Sequence, residues 1–393
     1  MAIKPSLVLL PSLTASRLPG GKLRITRKFI EGVEQFRQFW PGFVNVLLEE
    51  ASNPGDHLDS IDVHPDGLPF CLKLIQFNDL AEEAVFRAAT LVLGSAGWRQ
   101  NSVPRWCRDF GIQCVMTTEY SLKTRQQMVH VSVSNPVRRF KRHWWECLQE
   151  RQQVQAIRMA QGVQCNGTPT FEAYQHLNPK PMLFFDSRVS SRDLIARDQL
   201  NQRLSECLRG ERLRLVFSGR LIAIKGADHL VKVADYLRQW GVNFDFTICG
   251  DGNFFDDLAS AIQSRGLTSR VHLVGSLDFH LELLPLFRQS ADLFVCCHRQ
   301  GDPSCTYLET MSCGVPIVGY NNEAFAGLVK ISGSGWLTPM NQPLTLARQI
   351  ADLEAHRGQI VRHANQALAF ASRHTFEDTF RRRVEHLQAL ASP

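Results

Sequence analysis

The stretch HRQGDPSCTYLETMSCGVPIVGY, His298 to Tyr320, decides how the chain is read. It follows ADLFVCC (Ala291–Cys297), an apolar run of the length of a strand buried on both faces. It ends in PIVGY (Pro316–Tyr320), a second run of that kind. Between them the pattern predicts a polar, Gly/Pro-broken loop and then a short helix. A strand, a loop and a helix N-terminus in series suit an anion, because unpaired N–H groups and the positive end of the helix dipole face the loop. Glu309 falls in the first turn or so of that helix, where a carboxylate can accept hydrogen bonds from a neutral polyol beside a bound phosphate. Thr306-Tyr-Leu-Glu309 equally fits a capping box with Thr306 as N-cap, so on this window both readings of Glu309 stand.

Upstream, the alternation is regular. LRLVF (213–217), FDFTIC (244–249) and VHLVG (271–275) read as strands, with helices over Gly226–Trp240, Phe254–Arg265 and Phe279–Gln289. Helices over Leu344–His356, Gly358–Arg373 and Phe376–Leu390 close the chain. Repeated β-α units of this length predict a parallel, doubly wound sheet with right-handed crossovers. Ser218-Gly219-Arg220 follows the first strand and Lys225-Gly226 opens its helix. Gly250-Asp251-Gly252 follows the second strand, and Gly275 ends the third. In a parallel sheet these carboxyl ends share one mouth, so Arg220, Lys225, the glycine turns and the Ser304–Thr306 helix start are expected to converge there. Two fixed cations and several free N–H groups make a diphosphate pocket.

The N-terminal half is less regular. Ser6–Leu10 reads as a strand, and Lys22–Trp40 as a helix on the spacing of Ile25, Phe29, Val33, Phe36 and Trp40. That puts Gly20 and Gly21 where a first strand turns into its helix. Phe43–Leu48, Leu91–Leu93 and Ile112–Met116 are further strands, and Glu119 stands at the carboxyl end of the last. It is either a polar contact to an acceptor hydroxyl or a solvated loop residue. The helical stretch Pro136–Gln161 opens with Arg138, Arg139, Lys141 and Arg142 beside Trp144 and Trp145. It reads as a solvated helix with tryptophans packed inward, or as a face for anionic lipid or a lipid-linked acceptor. Pro181–Asp186 is a last strand, and the polar, Arg-rich segment Asp186–Glu211 is the expected linker.

A chain of 393 residues exceeds one ordinary core, and two domains of about 180–200 residues are expected. The boundaries fall at 1–190, 191–375 and a closing helix at 376–393. A net charge of +6 is too weak to argue for nucleic acid, yet suits anionic substrates or an anionic membrane face. Eleven scattered cysteines, no secretory apolar region and no stretch of transmembrane length lead to the expectation of a reduced, cytoplasmic protein, peripheral at most on the inner membrane face. Cys296, Cys297, His298, Cys305 and Cys313 match no zinc-ligand spacing, so no metal is expected.

VFSGRL(x)₃KG, ICGDG, VHLVG and ADLFV(x)₁₁LETMSCGVPIVGY together resemble the C-terminal half of GT-B glycosyltransferases of the large retaining family four, over about residues 213–375. Pro19-Gly-Gly21 and Glu119 match in position within the looser N-terminal half. The resemblance implies an α/β fold of two Rossmann-like domains facing across a cleft, with the C-terminal helix crossing back to the N-terminal domain. It implies a nucleoside-diphosphate sugar (UDP or GDP) as co-substrate. No separate cofactor and no metal are expected, because fixed cations supply the positive charge and no DxD motif stands in a suitable place. A saccharide or lipid-linked saccharide of cell-envelope polysaccharide synthesis would be the acceptor. Arg220 and Lys225 would hold the donor diphosphate, Glu309 the ribose, and Ser304, Cys305 and Thr306 would offer backbone contacts. The family's first motif glutamate is missing: Gly301 stands there, with Asp302 next to it. A non-catalytic scaffold of the same fold, or an epimerase or phosphorylase built on it, are the rival expectations.

Overall fold

The computed structural model describes residues 4–51 and 59–391. The chain divides into two compact units: Met1–Leu122, Arg142–Phe184 and Glu377–Pro393 form unit 1, and Lys123–Lys141 with Phe185–Phe376 form unit 2. Each is a Rossmann-like α/β layer.

Unit 1 contains β1 (Ser6–Leu10), β2 (Thr14–Arg17), β3 (Leu23–Thr26), β4 (Phe43–Glu50), β5 (Ser60–Val63), β6 (Cys71–Ile75), β7 (Leu91–Ser95), β8 (Gln113–Thr118), β9 (Gly162–Asn166) and β10 (Pro181–Phe184). The strands β10-β9-β8-β7-β1-β4 run parallel, and β6 adds parallel to β4. Leu7, Val8, Leu10, Val92 and Met116 are wholly buried, which is why these strands read as unbroken apolar runs. β2 joins the end of β4 and continues through β3 and β5 as an antiparallel arm.

That arm corrects the reading of Lys22–Trp40. Its first residues are strand β3, and the helix runs only over Arg27–Phe39, with the Thr26 hydroxyl accepting from the Phe29 amide at 3.3 Å. Leu23 and Ile25 are buried on one face of β3, a two-residue alternation that Ile25 shares with the helical pattern. Gly20 and Gly21 therefore form the exposed turn of a β-hairpin, not a strand-to-helix junction. The closing helix Phe376–Ala391 belongs to unit 1 from Glu377 onward. Phe380 meets the Phe36 ring edge-on at 5.1 Å, and Arg383 Nε donates to Gln164 Oε1 at 2.8 Å.

Unit 2 contains β11 (Leu213–Ser218), β12 (Phe244–Cys249), β13 (Val271–Gly275), β14 (Leu293–Cys296), β15 (Ile317–Tyr320) and β16 (Trp336–Thr338). They run parallel in the order β13-β12-β11-β14-β15-β16. The order reverses between β11 and β14, and ligands of open parallel sheets bind outside the carboxyl ends at such a switch. The helix Ala227–Gln239 buries Leu230, Val233, Ala234 and Leu237, the apolar stripe expected of it.

Two segments of unit 2 were not legible from composition. Asp186–Glu211 is no open linker, since it holds the helix Arg197–Leu208 with Leu200 and Leu204 buried. Arg203 on that helix is buried as well, donating to the Phe287 carbonyl at 2.7 Å and the Gly314 carbonyl at 2.6 Å. The helix Leu122–Ser132 groups with unit 2 from Lys123 onward, although a cut at 190/191 leaves it on the other side. Thr124 and Gln127 tie it to Gly301 by hydrogen bonds.

Candidate active site

The loops after β11 and β14 meet at the switch. After β11 the chain makes a 3-10 turn, Ala223–Lys225, and Gly226 carries it into the next helix at φ +69°. A side chain at 226 would strike the Cys297 carbonyl oxygen at 2.1 Å, so only glycine lets this turn lie against the end of β14. That contact buries Lys225, which is 7% exposed. Its Nζ donates to Asp302 Oδ2 at 2.7 Å. A buried ammonium needs a charged partner, and Asp302 supplies it from the loop after β14.

Arg220, the other expected cation, is on the same loop but exposed, and among the described residues it has no ion-pair partner. The two cations thus differ in kind: Lys225 is locked, whereas Arg220 is solvated.

The glycine turns behave differently from expectation. The Gly250 amide donates to the Gly275 carbonyl at 2.6 Å, and the Gly252 amide to Asp251 Oδ1 at 2.6 Å. Neither is a free donor for phosphate. A Cβ at 250 would lie 2.0 Å from the Gly219 carbonyl oxygen, so this glycine is set by close backbone packing of the β11 and β12 ends. Gly275 sits at the bulged end of β13 and has open space around it.

The helix after β14 spans Cys305–Ser312, with Ser304 as N-cap. Thr306 is thus inside the helix, and the Thr306–Glu309 capping box does not form. Glu309 lies in the second turn, 3% exposed, and its Oε1 accepts from Arg188 Nε at 2.7 Å. The Arg188 guanidinium also covers the Phe279 ring at 4.0 Å. Cys305, the first helical residue, directs its Sγ to Asp186 Oδ2 at 3.5 Å. Arg188 and Asp186 had passed as linker residues, and nothing in their sequence setting marked them.

Gly301 occupies a filled corner. Its amide donates to Gln127 Oε1 at 2.9 Å, and its carbonyl accepts from Thr124 Oγ1 at 3.3 Å. A Cβ there would stand 3.0 Å from Thr124 Oγ1 and 3.1 Å from Glu323 Oε2. Glu323 pairs with Lys123. The carboxylate beside Lys225 is thus Asp302, one position on from the expected glutamate.

His298, just after β14, was weighed in the sequence only as a metal ligand. It is buried, and its Nδ1 lies 3.4 Å from the Tyr307 hydroxyl. Burial, and then the Lys225 charge, hold its pKa well below the usual imidazole value, so it is neutral. Its Nε2 has no partner among the described residues. Burial raises the Tyr307 hydroxyl well above its ordinary range, so it too is neutral.

In unit 1, Glu119 follows β8 and is exposed. The helix Pro136–Met159 leaves Val137, Phe140 and Trp144 exposed at one-face spacing, each by more than 60%. Trp145 is instead half-buried, packed edge-on to Trp98 at 6.4 Å with Arg142 over its ring at 4.2 Å. Only one of the two tryptophans packs inward. No described helix is long and apolar enough to cross a membrane.

Residues 198–368 match the family model described as glycosyl transferases group 1. The amylovoran biosynthesis glycosyltransferase AmsK of Erwinia amylovora is 26% identical over 197 residues, 49% of this chain and 46% of that protein. The alpha-D-kanosaminyltransferase of Streptomyces kanamyceticus is 27% identical over 161 residues, 39% of this chain and 41% of that protein. The chain therefore spans less than half the length of either relative. Among solved structures, Anabaena Alr3699/HepE in complex with UDP superposes with a TM-score of 0.67 at 15% identity, covering 98% of this chain and 100% of that one. WaaG, a glycosyltransferase involved in lipopolysaccharide biosynthesis, gives 0.59 at 12% identity, covering 97% and 98%. At these identities the likeness is one of fold, and the fold is that of GT-B glycosyltransferases.

Proposed function

We propose that this chain, which carries the glycosyl transferases group 1 module over residues 198–368, moves a sugar from a nucleoside diphosphate to the hydroxyl of a saccharide or lipid-linked saccharide. The observation that carries the reading is the buried Lys225–Asp302 pair at the β11/β14 switch, next to the start of the Cys305–Ser312 helix. The leaving diphosphate gains negative charge as its bond to the sugar breaks. A fixed ammonium and a helix N-terminus stabilise that charge more in the transition state than in the ground state. Arg220, exposed on the same loop, is free to swing onto the phosphates when they arrive.

The donor base is uracil or guanine, and HepE, whose structure contains UDP, favours uracil. Glu309 accepts hydrogen bonds from the ribose hydroxyls, with Arg188 holding its other oxygen. Asp302, already beside Lys225, takes the place of the missing glutamate toward the sugar. The anomeric configuration is retained by attack on the face from which the diphosphate leaves. The acceptor O–H attacks C1, the C1–O bond to phosphate breaks, and the acceptor proton passes to the departing phosphate oxygen. Lys225 and, once it has swung in, Arg220 do the neutralising, so no divalent ion is required. The acceptor belongs to polysaccharide synthesis, as AmsK's name indicates for that relative. The exposed Val137, Phe140 and Trp144, beside Arg138, Lys141 and Arg142, suit contact with an anionic membrane face.

A second reading is a binding protein that holds the nucleotide without turnover, and the closed corner at Gly301 favours it. Incubation with labelled UDP- and GDP-sugars, with and without an oligosaccharide acceptor, separates the two. The enzyme reading expects acceptor-dependent release of nucleoside diphosphate that Lys225→Ala abolishes. Binding without release in every combination would leave the second reading standing.

A further inference from the structure

The turn that carries Lys225 is fastened by one side chain from the loop after β14. The Arg299 amide donates to the Ile224 carbonyl at 2.9 Å, and Arg299 Nη1 donates to the Ala223 carbonyl at 3.0 Å. Nη2 reaches Asp228 Oδ2 and His229 Nε2, both at 2.8 Å, on the first turn of the following helix. Nε donates to Asn341 Oδ1 at 2.9 Å. One guanidinium therefore grips the 3-10 turn, the helix it leads into and the 341 turn together.

The anchor behind it is set by tautomer. A guanidinium nitrogen is only a donor, so His229 Nε2 must be the acceptor, and the ring proton lies on Nδ1. Nδ1–H then donates to the Tyr320 hydroxyl at 2.7 Å, at the end of β15. His229 is 8% exposed, and burial with the Arg299 charge brings its pKa down to about 4, which keeps it neutral.

We infer that Arg299 is a positioning residue that fixes the Lys225 turn in the geometry the diphosphate needs. It bridges the loops after β11 and β14, the two strands between which the sheet order reverses. Lys225 alone is tied to the second loop by a single ion pair, which an incoming phosphate competes for. The Arg299 guanidinium holds the turn through the Ala223 main-chain carbonyl and the side chains of Asp228 and His229, none of which a phosphate competes for. The role in turnover rests on the reading of the site given above, whereas the fastening itself does not.

The test uses the full chain with Arg299→Met, which keeps the stem and the main-chain bond to Ile224 but removes the guanidinium donors, and Arg299→Lys, which keeps the charge and one reach. Amide hydrogen exchange is followed without ligand, and UDP and GDP binding by calorimetry. In Arg299→Met the amides of 224–227 are expected to exchange at least tenfold faster, with β12 unchanged. The dissociation constant for the diphosphate rises about tenfold or more, and Arg299→Lys lies between. In a Lys225→Ala background, Arg299→Met changes that constant less than twofold, because the group it positions is gone. Unchanged exchange at 224–227, or an equal loss of affinity in both backgrounds, overturns the inference. A wild-type chain that binds neither nucleotide refutes the functional reading instead, and the exchange result alone then decides the role of Arg299.

Discussion

Replacing Lys225 tests charge and packing separately, because its one partner is identified. Lys225 is 7% exposed, and its ammonium sits 2.7 Å from Asp302 Oδ2. Lys225→Met keeps most of the stem but leaves Asp302 without its counter-charge. Breaking a buried pair from one side costs about 3–5 kcal/mol. The Asp302 side chain is 18% exposed and can hydrate, so about 1–3 kcal/mol of stability is the expected loss. The double variant Lys225→Met/Asp302→Asn removes the orphaned charge and regains most of that loss. Activity follows another course. An electrostatic donor on a developing oxyanion contributes about 2–4 kcal/mol, so both variants lose roughly 30- to 1,000-fold in kcat/KM. Urea unfolding and steady-state kinetics, run on the wild type and both variants, read the two quantities. A double variant that regains activity along with stability would refute the reasoning, since the ammonium would then matter only for holding the loop.

Glu309→Gln should weaken nucleoside diphosphate binding by about 1–3 kcal/mol while leaving inorganic pyrophosphate binding unchanged, because it leaves Arg188 without its carboxylate and blunts the ribose contact; calorimetry with both ligands checks it. Gly301→Glu restores the family's residue type yet should not raise activity: its Cβ meets Thr124 and Glu323 at 3.0 and 3.1 Å, and overpacking of this kind costs about 1–3 kcal/mol, visible in the thermal midpoint. Gly250→Ala, whose Cβ would lie 2.0 Å from the Gly219 carbonyl oxygen, should destabilise unit 2 by more than about 1 kcal/mol in urea unfolding. His229 titrates near pH 4 folded and near pH 6.5 unfolded, so the unfolded state takes up its proton first as pH falls. Stability from this group is complete above pH 6.5 and declines toward pH 4, by up to about 3 kcal/mol in all. Urea midpoints at pH 7, 5.5 and 4.5 should show a shallower decline in His229→Gln, and identical slopes would count against the neutral-acceptor role.

Much of unit 2 was legible because its central strands β11, β14 and β15 are largely buried, its edge strands still read as short apolar runs, and its helices carry clean stripes. FDFTIC and VHLVG match β12 and β13 residue for residue. Unit 1 was harder for a specific reason. The arm β2-β3-β5 has short strands with one open face, and Ile25 serves a two-residue and a 3.6-residue pattern equally. In the site, Lys225 and Glu309 drew notice through their positions at strand and helix ends. Asp302 drew notice beside Gly301 as a sugar contact but not as the partner of Lys225, and Arg188 did not, because it comes from a polar stretch that looks like linker. The capping box at Thr306 failed by two residues: the helix begins at Cys305, and Arg188 claims the carboxylate that would have reached back. The glycine turns gave the right strand ends for the wrong purpose, since their amides serve the neighbouring backbone.

Titration of UDP, GDP and their parent nucleosides into the wild type and Lys225→Ala, by calorimetry, bears on the account most directly. If the switch between β11 and β14 takes up a diphosphate, one of the two diphosphates binds at least tenfold more tightly than its nucleoside, and Lys225→Ala erases most of that difference. Equal binding of nucleoside and diphosphate, or a preference that survives the loss of Lys225, would contradict it.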